Sequence, residues 1–221
     1  VILGFDTSTA ASAACVLRED GEAFEVEPEP AALAGPPGHA RELMPAIADV
    51  MARAGASFDE LQAIAVGVGP GAFTGLRIGV ATARALAHAA AVELRPVSSL
   101  AALAEGIEGR LVLPLIDARR GEVFAALFED GEERRAPFAA SPEDVAAWVR
   151  EAGITPRAAG DGSVRFRGVL EAAGIQVEPD GSRAHVVRAL HVCRLGAGAP
   201  ARPPEAVLPE YLRLPDARPR A

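Results

Sequence analysis

The sequence contains no lysine and no asparagine, a single tryptophan, a single tyrosine and only two cysteines. Arginine therefore supplies the fixed positive side-chain charge, a skew we read as genome composition bias rather than function. Twenty-two basic residues face thirty acidic ones, for a formal net charge of −8. Such a surface repels phosphate backbones and excludes broad direct nucleic-acid binding unless arginines cluster locally. Aromatic residues are 5% of a chain that is 50% hydrophobic, so its core is built mainly from Ala, Val, Leu and Ile. Cys15 and Cys193 lie far apart in apolar settings and read as buried free thiols in a reducing compartment. No apolar run reaches the length of a membrane span and no charged-then-apolar leader is read, so no membrane partner is expected and a cytoplasmic location is the default. The start at Val1 fits a removed or omitted initiator methionine.

Several reaction chemistries are missing as well. His39, His88, His185 and His191 form no H-x-x-x-H, and neither cysteine joins them at metal spacing, so no metal ligands are assigned. There is no G-x-S-x-G elbow. The glycine-rich stretch from Gly67 to Gly79 is followed by no Gly-Lys-Ser/Thr, so it is not a P-loop, and its spacing is not that of a dinucleotide-binding turn. No catalytic residue is assigned.

That stretch nonetheless organises the chain. It follows an apolar run at 63–66 that reads as a buried strand and leads into a helix read over 76–90. A strand, a glycine turn and a helix aim backbone N–H groups at an anion or let a neighbour approach closely. Upstream, strands are read at 1–5, 12–17 and 23–27, then a Pro/Gly loop at 28–38, then a helix over 39–54 with Leu43, Ile47, Val50 and Met51 on one face. Pro45 predicts a kink or late start in that helix, and Gly55 ends it. A strand at 92–97 and a helix after the Ser98 cap close the first unit.

The second unit opens like the first. A strand ending at Asp117, a strand at 121–128 and a Glu129-Asp130-Gly131 turn echo the strand ending at Asp6, the strand at 12–17 and Glu19-Asp20-Gly21. The span from the aspartate to the turn glycine is 15 positions in the first copy and 14 in the second. A third strand, a helix capped by Ser141 and a strand ending at Gly160-Asp161-Gly162 continue the parallel, with helices expected at 164–173 and 185–195. Duplicated units of this kind predict an α/β fold of two similar domains, each a mixed sheet flanked by helices, as in the actin/Hsp70 (RNase H-like) group. The division is 1–106, 107–200 and a Pro-rich tail at 201–221 that packs back on the chain and ends disordered.

Candidate functional residues fall in two sets. Asp6, Ser8 and Thr9, with Gly69, Gly71, Thr74 and Arg77, could face a nucleotide or another anion. The alternative for Asp6 and its hydroxyls is an Asx-type turn that satisfies the hairpin backbone. Arg77 sits in the first turn of its helix, where the macrodipole disfavours a cation by roughly 0.3–1 kcal/mol, so an anionic ligand or an acidic side chain is expected beside it. The second set is a candidate interface. Gly75, Gly79, Ala83 and Ala87 recur every fourth position and let another helix approach closely, either within the domain or from another chain. Leu43, Met44, Ile47, Met51, Leu76, Gly79, Val80, Ala83 and Ala87 are assigned to that interface.

Gly69-Pro70-Gly71-Ala72-Phe73-Thr74-Gly75-Leu76-Arg77-Ile78-Gly79, with Asp6-Thr7-Ser8-Thr9 upstream, resembles the TsaB (YeaZ-type) family. His39, Leu43 and Pro45, Ser98-Ser99-Leu100, Gly160-Asp161-Gly162 and Tyr211-Leu212-Arg213 also match, with a departure at Ala72, where the family usually carries serine. The resemblance implies a bacterial, non-catalytic partner in making threonylcarbamoyladenosine on tRNA. It implies homodimers formed through the helices after the Pro-rich loop and after the Gly-Pro-Gly turn. TsaD-type and TsaE-type subunits are the implied partners, with tRNA contacted only indirectly. No cofactor of its own is expected, with ATP or ADP admitted only at the interface of the complex. The competing readings are an ATP-dependent phosphotransferase of the actin/sugar-kinase group and, more remotely, a glycoprotease-like peptidase.

Overall fold

The structure, a computed structural model, describes residues 1–212. Arg213 and the expected disordered end of the tail lie outside the described residues. Strands β1 (Ile2–Asp6), β2 (Ala13–Leu17) and β3 (Ala23–Val26) form an antiparallel meander, and β4 (Ala63–Gly69) and β5 (Leu94–Ser98) add in parallel beside β1. The sheet order is β3-β2-β1-β4-β5. In the second unit β6 (Leu111–Arg119), β7 (Glu122–Glu129), β8 (Glu132–Ala140), β9 (Arg157–Ala159) and β10 (Gln176–Val177) repeat that plan in the order β10-β9-β6-β7-β8. The duplicated fold expected from the sequence is the one observed. β4 lies near the sheet centre with every residue buried, which is why it reads as a continuous apolar run rather than an alternation.

One face of the first sheet is covered by α1 (His39–Ala54) and α2 (Phe73–Ala90). Leu3, Phe5, Val16, Ile64 and Val66 meet Leu43, Ile47, Val50 and Val80 there. α1 runs through Pro45 from His39, so the proline does not delay its start, and Gly55 closes it in the left-handed region at φ 59°. α2 starts at Phe73, three residues before the expected position 76, because the glycine turn is already helical by then.

The opposite face of the first sheet is covered by α3 (Ser99–Ala104) and by α7 (Ala189–Gly198). The expected boundary at residue 200 groups α7 with the second unit, whereas the helix packs on β1, β2, β4 and β5 of the first. Its entry is fixed by Glu25 on β3, which takes Arg188 Nη2 at 2.6 Å and the Leu190 N–H at 3.0 Å. α7 begins four residues after the expected start at 185 because residues 186–188 are not helical. The expected helix at 164–173 is two short ones, α5 (Asp161–Arg165) and α6 (Arg167–Glu171), interrupted at Phe166. α4 (Pro142–Ala152) and α6 cover the outer face of the second sheet through Val145, Val149 and Leu170. The two units share a core in which Ala65 and Val97 of the first sheet and Leu100 and Leu103 of α3 join Ile116, Phe124 and Phe128 of the second sheet.

The chain then returns to the first unit. Arg202 bridges to Leu94, Val207 enters the first core, and the Glu210 N–H donates to Val68 O at 2.8 Å.

Candidate functional site

The glycine-rich loop is packed against the turn that follows β1. A Cβ at Gly67 would overlap Asp6 Oδ2, and one at Gly75 would overlap the Thr7 carbonyl oxygen. The Ala72 N–H, which could have faced an anion, donates to Ser8 O at 2.7 Å. Thr7 Oγ1 donates to Gly75 O at 2.8 Å. The glycines of this loop thus serve close approach of one segment of the chain to another, the second of the two uses such a loop has.

The Asp6 carboxylate is held by its own chain. Oδ1 accepts from the Ser8 N–H at 2.7 Å and from Ser8 Oγ at 2.6 Å, while Oδ2 accepts from Ser99 Oγ at 2.7 Å. Burial raises the Asp6 pKa, and the hydrogen bonds from Ser8 and Ser99 oppose the shift. Thr9 Oγ1 accepts from the Ala11 N–H at 3.4 Å. Beside this turn, His39 shares a 2.8 Å hydrogen bond with Ser12 Oγ through Nδ1, and burial lowers its pKa. Asp6, Ser8 and Thr9 are all buried; the Asp6 carboxylate ties β1 to α3, and Ser8 O ties the turn to the glycine loop. This is the Asx-type arrangement, extended across 93 residues to Ser99. Ser99 is the partner that sequence reasoning missed; a serine just inside a helix start was the signal at hand.

Gly69 and Gly71 lie against Glu210 O and Ser8 in the same way, and Thr74 is exposed at the mouth of the turn. Among the described residues no acidic side chain pairs with Arg77. Its guanidinium lies 3.9 Å from the Phe73 ring centroid, and its Nε donates to Tyr211 Oη at 3.2 Å. The Phe73 and Tyr211 rings are 5.0 Å apart. The Phe73 ring face and the Tyr211 hydroxyl, rather than a carboxylate, receive the Arg77 charge at the positive end of the helix dipole.

The interface assignment also needs correction. Leu43, Ile47, Met51, Leu76, Gly79, Val80, Ala83 and Ala87 are all buried within the chain, and only Met44, 48% exposed, reaches the surface. The apolar period of α1 and the small-residue stripe of α2 mark the faces that pack inward, because an amphipathic helix turns its apolar stripe to its own core. A Cβ at Gly79 would overlap Thr7 Oγ1. The outward faces carry other residues. On α1, Ala40, Met44, Ala48 and Ala52 are exposed at four-residue spacing; on α2, Ala81 and Ala85 are exposed and Ile78 is half-buried. α1 and α2 touch, so the two stripes lie on neighbouring helices.

A second polar cluster stands in the second unit at the positions matching Asp6. Asp117 Oδ2 takes Arg165 Nη1 at 2.8 Å and Arg119 Nη1 at 3.2 Å, and the Asp117 N–H donates to Asp161 Oδ1 at 2.9 Å. Burial, reinforced by the Asp117 charge, pushes the Asp161 pKa up to about 6. His185 Nδ1 accepts from the Gly160 N–H at 3.1 Å while Nε2 pairs with Pro179 O at 3.0 Å. Among the described residues no group of His, Cys, Asp and Glu is placed to hold a metal ion. Nor, among them, is any helix long and apolar enough to cross a membrane.

A family model described as "TsaD: tRNA N6-adenosine threonylcarbamoyltransferase" matches residues 26–166. An uncharacterised protein of Mycobacterium leprae is 38% identical over 145 residues, 66% of this chain and 40% of that protein. The tRNA threonylcarbamoyladenosine biosynthesis protein TsaB of Escherichia coli is 36% identical over 138 residues, 59% of this chain and 56% of that one. The matches thus span about half the length of these two relatives. The solved structure of YeaZ from Pseudomonas aeruginosa superposes with a TM-score of 0.78 at 30% identity, covering 96% of this chain and 99% of the other.

Proposed function

The chain belongs to the TsaB (YeaZ-type) family, and on that premise we propose that it is a non-catalytic subunit in the formation of N6-threonylcarbamoyladenosine on tRNA. One observation carries the non-catalytic part. The loop that would cradle phosphates is packed against the Asp6–Thr9 turn, and the Asp6 carboxylate accepts hydrogen bonds from Ser8 and Ser99. The chain also lacks H-x-x-x-H, so a metal-dependent transfer step falls to another subunit. That subunit is of the TsaD type, with a TsaE-type ATPase completing the assembly, and the setting is the cytoplasm. The net charge of −8 favours leaving direct tRNA contact to a partner.

The surface proposed for association is the outward face of α1 and α2, shared between self-pairing and the TsaD-type partner. Its exposed Ala40, Met44, Ala48, Ala81 and Ala85 present small and apolar side chains that allow close helix crossing. Two glutamates in this face cannot be buried unpaired, so the double variant Met44→Glu/Ala85→Glu should weaken self-association by about a hundredfold or more. Light scattering reads the mass, and circular dichroism checks that the exposed substitutions leave the fold intact. A double variant that pairs as tightly as the parent places the interface elsewhere.

A phosphotransferase is the second reading, favoured by the actin-like duplication alone. It requires ATP turnover by the isolated chain, and calorimetry at millimolar ATP should show none.

A further inference from the structure

Between the two units lies a cavity of about 440 Å³ that the preceding reading leaves unused. One wall is polar, made by Asp117, Arg119, Asp161 and Arg165 of the second unit; the other is the 3₁₀ turn Pro30–Ala34 of the first. That turn buries none of its residues, so Ala31 and Leu33 line the cavity instead of reinforcing a core. Val164, 39% exposed, adds an apolar contact on the second unit. The volume is within the range of small-molecule sites.

The polar wall is layered. The Asp117 side chain is 5% exposed, whereas Arg119 and Arg165, both bonded to its Oδ2, are 57% and 50% exposed. The carboxylate lies behind and the guanidinium groups in front. Each arginine uses Nη1 on Asp117, and a guanidinium has five N–H donors in a planar fork suited to a carboxylate. Arg119 and its neighbour Arg120 sit in the left-handed region at φ 66° and 54°, a conformation that disfavours residues with a Cβ. Those angles belong to the bulge and hairpin turn that join β6 to β7, and the turn places Arg119 at the cavity wall.

We propose that this cavity binds a small monocarboxylate with a short apolar body. The carboxylate lies on the exposed edges of Arg119 and Arg165, and the apolar body lies against Leu33, Ala31 and Val164. A single negative charge fits better than a phosphate, because Asp117 and Asp161 stand directly behind the arginines and repel a second charge. The site is independent of the association surface on α1 and α2.

The test uses the full chain, labelled with nitrogen-15, and hexanoate as the probe, with hexan-1-ol and inorganic phosphate as comparisons. Hexanoate is expected to shift the amide resonances of Gly160, Arg165 and Gly181 with an affinity in the millimolar range. Hexan-1-ol, of the same chain length without the charge, should bind about tenfold more weakly. Arg165→Gln and Arg119→Gln should each weaken hexanoate by about tenfold while leaving the hexan-1-ol response unchanged. Both side chains are half exposed, and a thermal melt of each variant confirms its fold. The proposal is overturned if hexanoate shifts none of these resonances, if hexan-1-ol or phosphate binds as tightly, or if both variants bind hexanoate like the parent.

Discussion

Gly75→Ala is expected to destabilise the folded chain by about 3 kcal/mol or more. The sign is what makes the result informative. On an unencumbered helix, alanine is better than glycine by about 1 kcal/mol, so a free α2 face would gain stability from this substitution. In this chain the new methyl group overlaps the Thr7 carbonyl oxygen, which is backbone and has little room to move. Thr7 is fully buried, and its hydroxyl is tied to Gly75 O at 2.8 Å. Relief therefore requires α2 to lift off the β1–β2 turn, breaking that bond and the 2.7 Å bond from the Ala72 N–H to Ser8 O. Urea titration monitored by circular dichroism measures the effect. Stabilisation by about 1 kcal/mol would mean that the small-residue face does not pack on the turn. By the same logic Gly79→Leu should unfold the chain rather than merely dissociate it, since its side chain points at Thr7 Oγ1.

Asp161→Asn is expected to stabilise the chain near neutral pH by up to about 3 kcal/mol and to leave it unchanged near pH 4. Asp161 titrates at about 6 in the fold, against an ordinary value of 3.8. As pH rises from about 4 to about 6, the unfolded chain loses this proton while the folded chain keeps it, so stability falls. Above about 6 both states are ionised and the full cost of a buried charge beside Asp117 is present. The Arg119 charge limits that cost. Asparagine retains an oxygen for the Asp117 N–H, which Asp161 Oδ1 accepts at 2.9 Å, without carrying charge. Denaturant titrations at several pH values should show a shallower slope between pH 4 and 6 in the variant than in the parent, the remainder belonging to groups such as Asp6, whose pKa burial also raises. An equal slope in both would place the responsible group elsewhere.

Much of the architecture was legible because local rules set it. Period-two and buried apolar runs mark the strands, Gly55 stops α1, and Ser98 and Ser141 cap α3 and α4 by accepting from the N–H groups of Ala101 and Asp144. The repeat of hairpin, third strand and helix disclosed the duplication. What escaped was set by contacts distant along the chain. Ser99 meets Asp6 across 93 positions, and Tyr211 meets Arg77 across 134, and no local pattern encodes either pairing. The α2 stripe was misplaced for a different reason. Small residues at four-residue spacing permit close approach from any direction, and only the position of Thr7 determines that the approach is internal. α7 carries an apolar face that suits either sheet, and Glu25 draws its start to the first.

Whether this chain is a required, non-catalytic subunit is tested most directly by reconstitution. tRNA, threonine, bicarbonate, ATP and the enzyme that makes the threonylcarbamoyl adenylate are combined with TsaD-type and TsaE-type subunits, with and without this chain, and modified adenosine is measured by mass spectrometry. The expected result is modified adenosine only when the chain is added to both partners, and none from the chain without the TsaD-type subunit. Full modification in its absence, or modification by the chain without that subunit, would contradict the assignment.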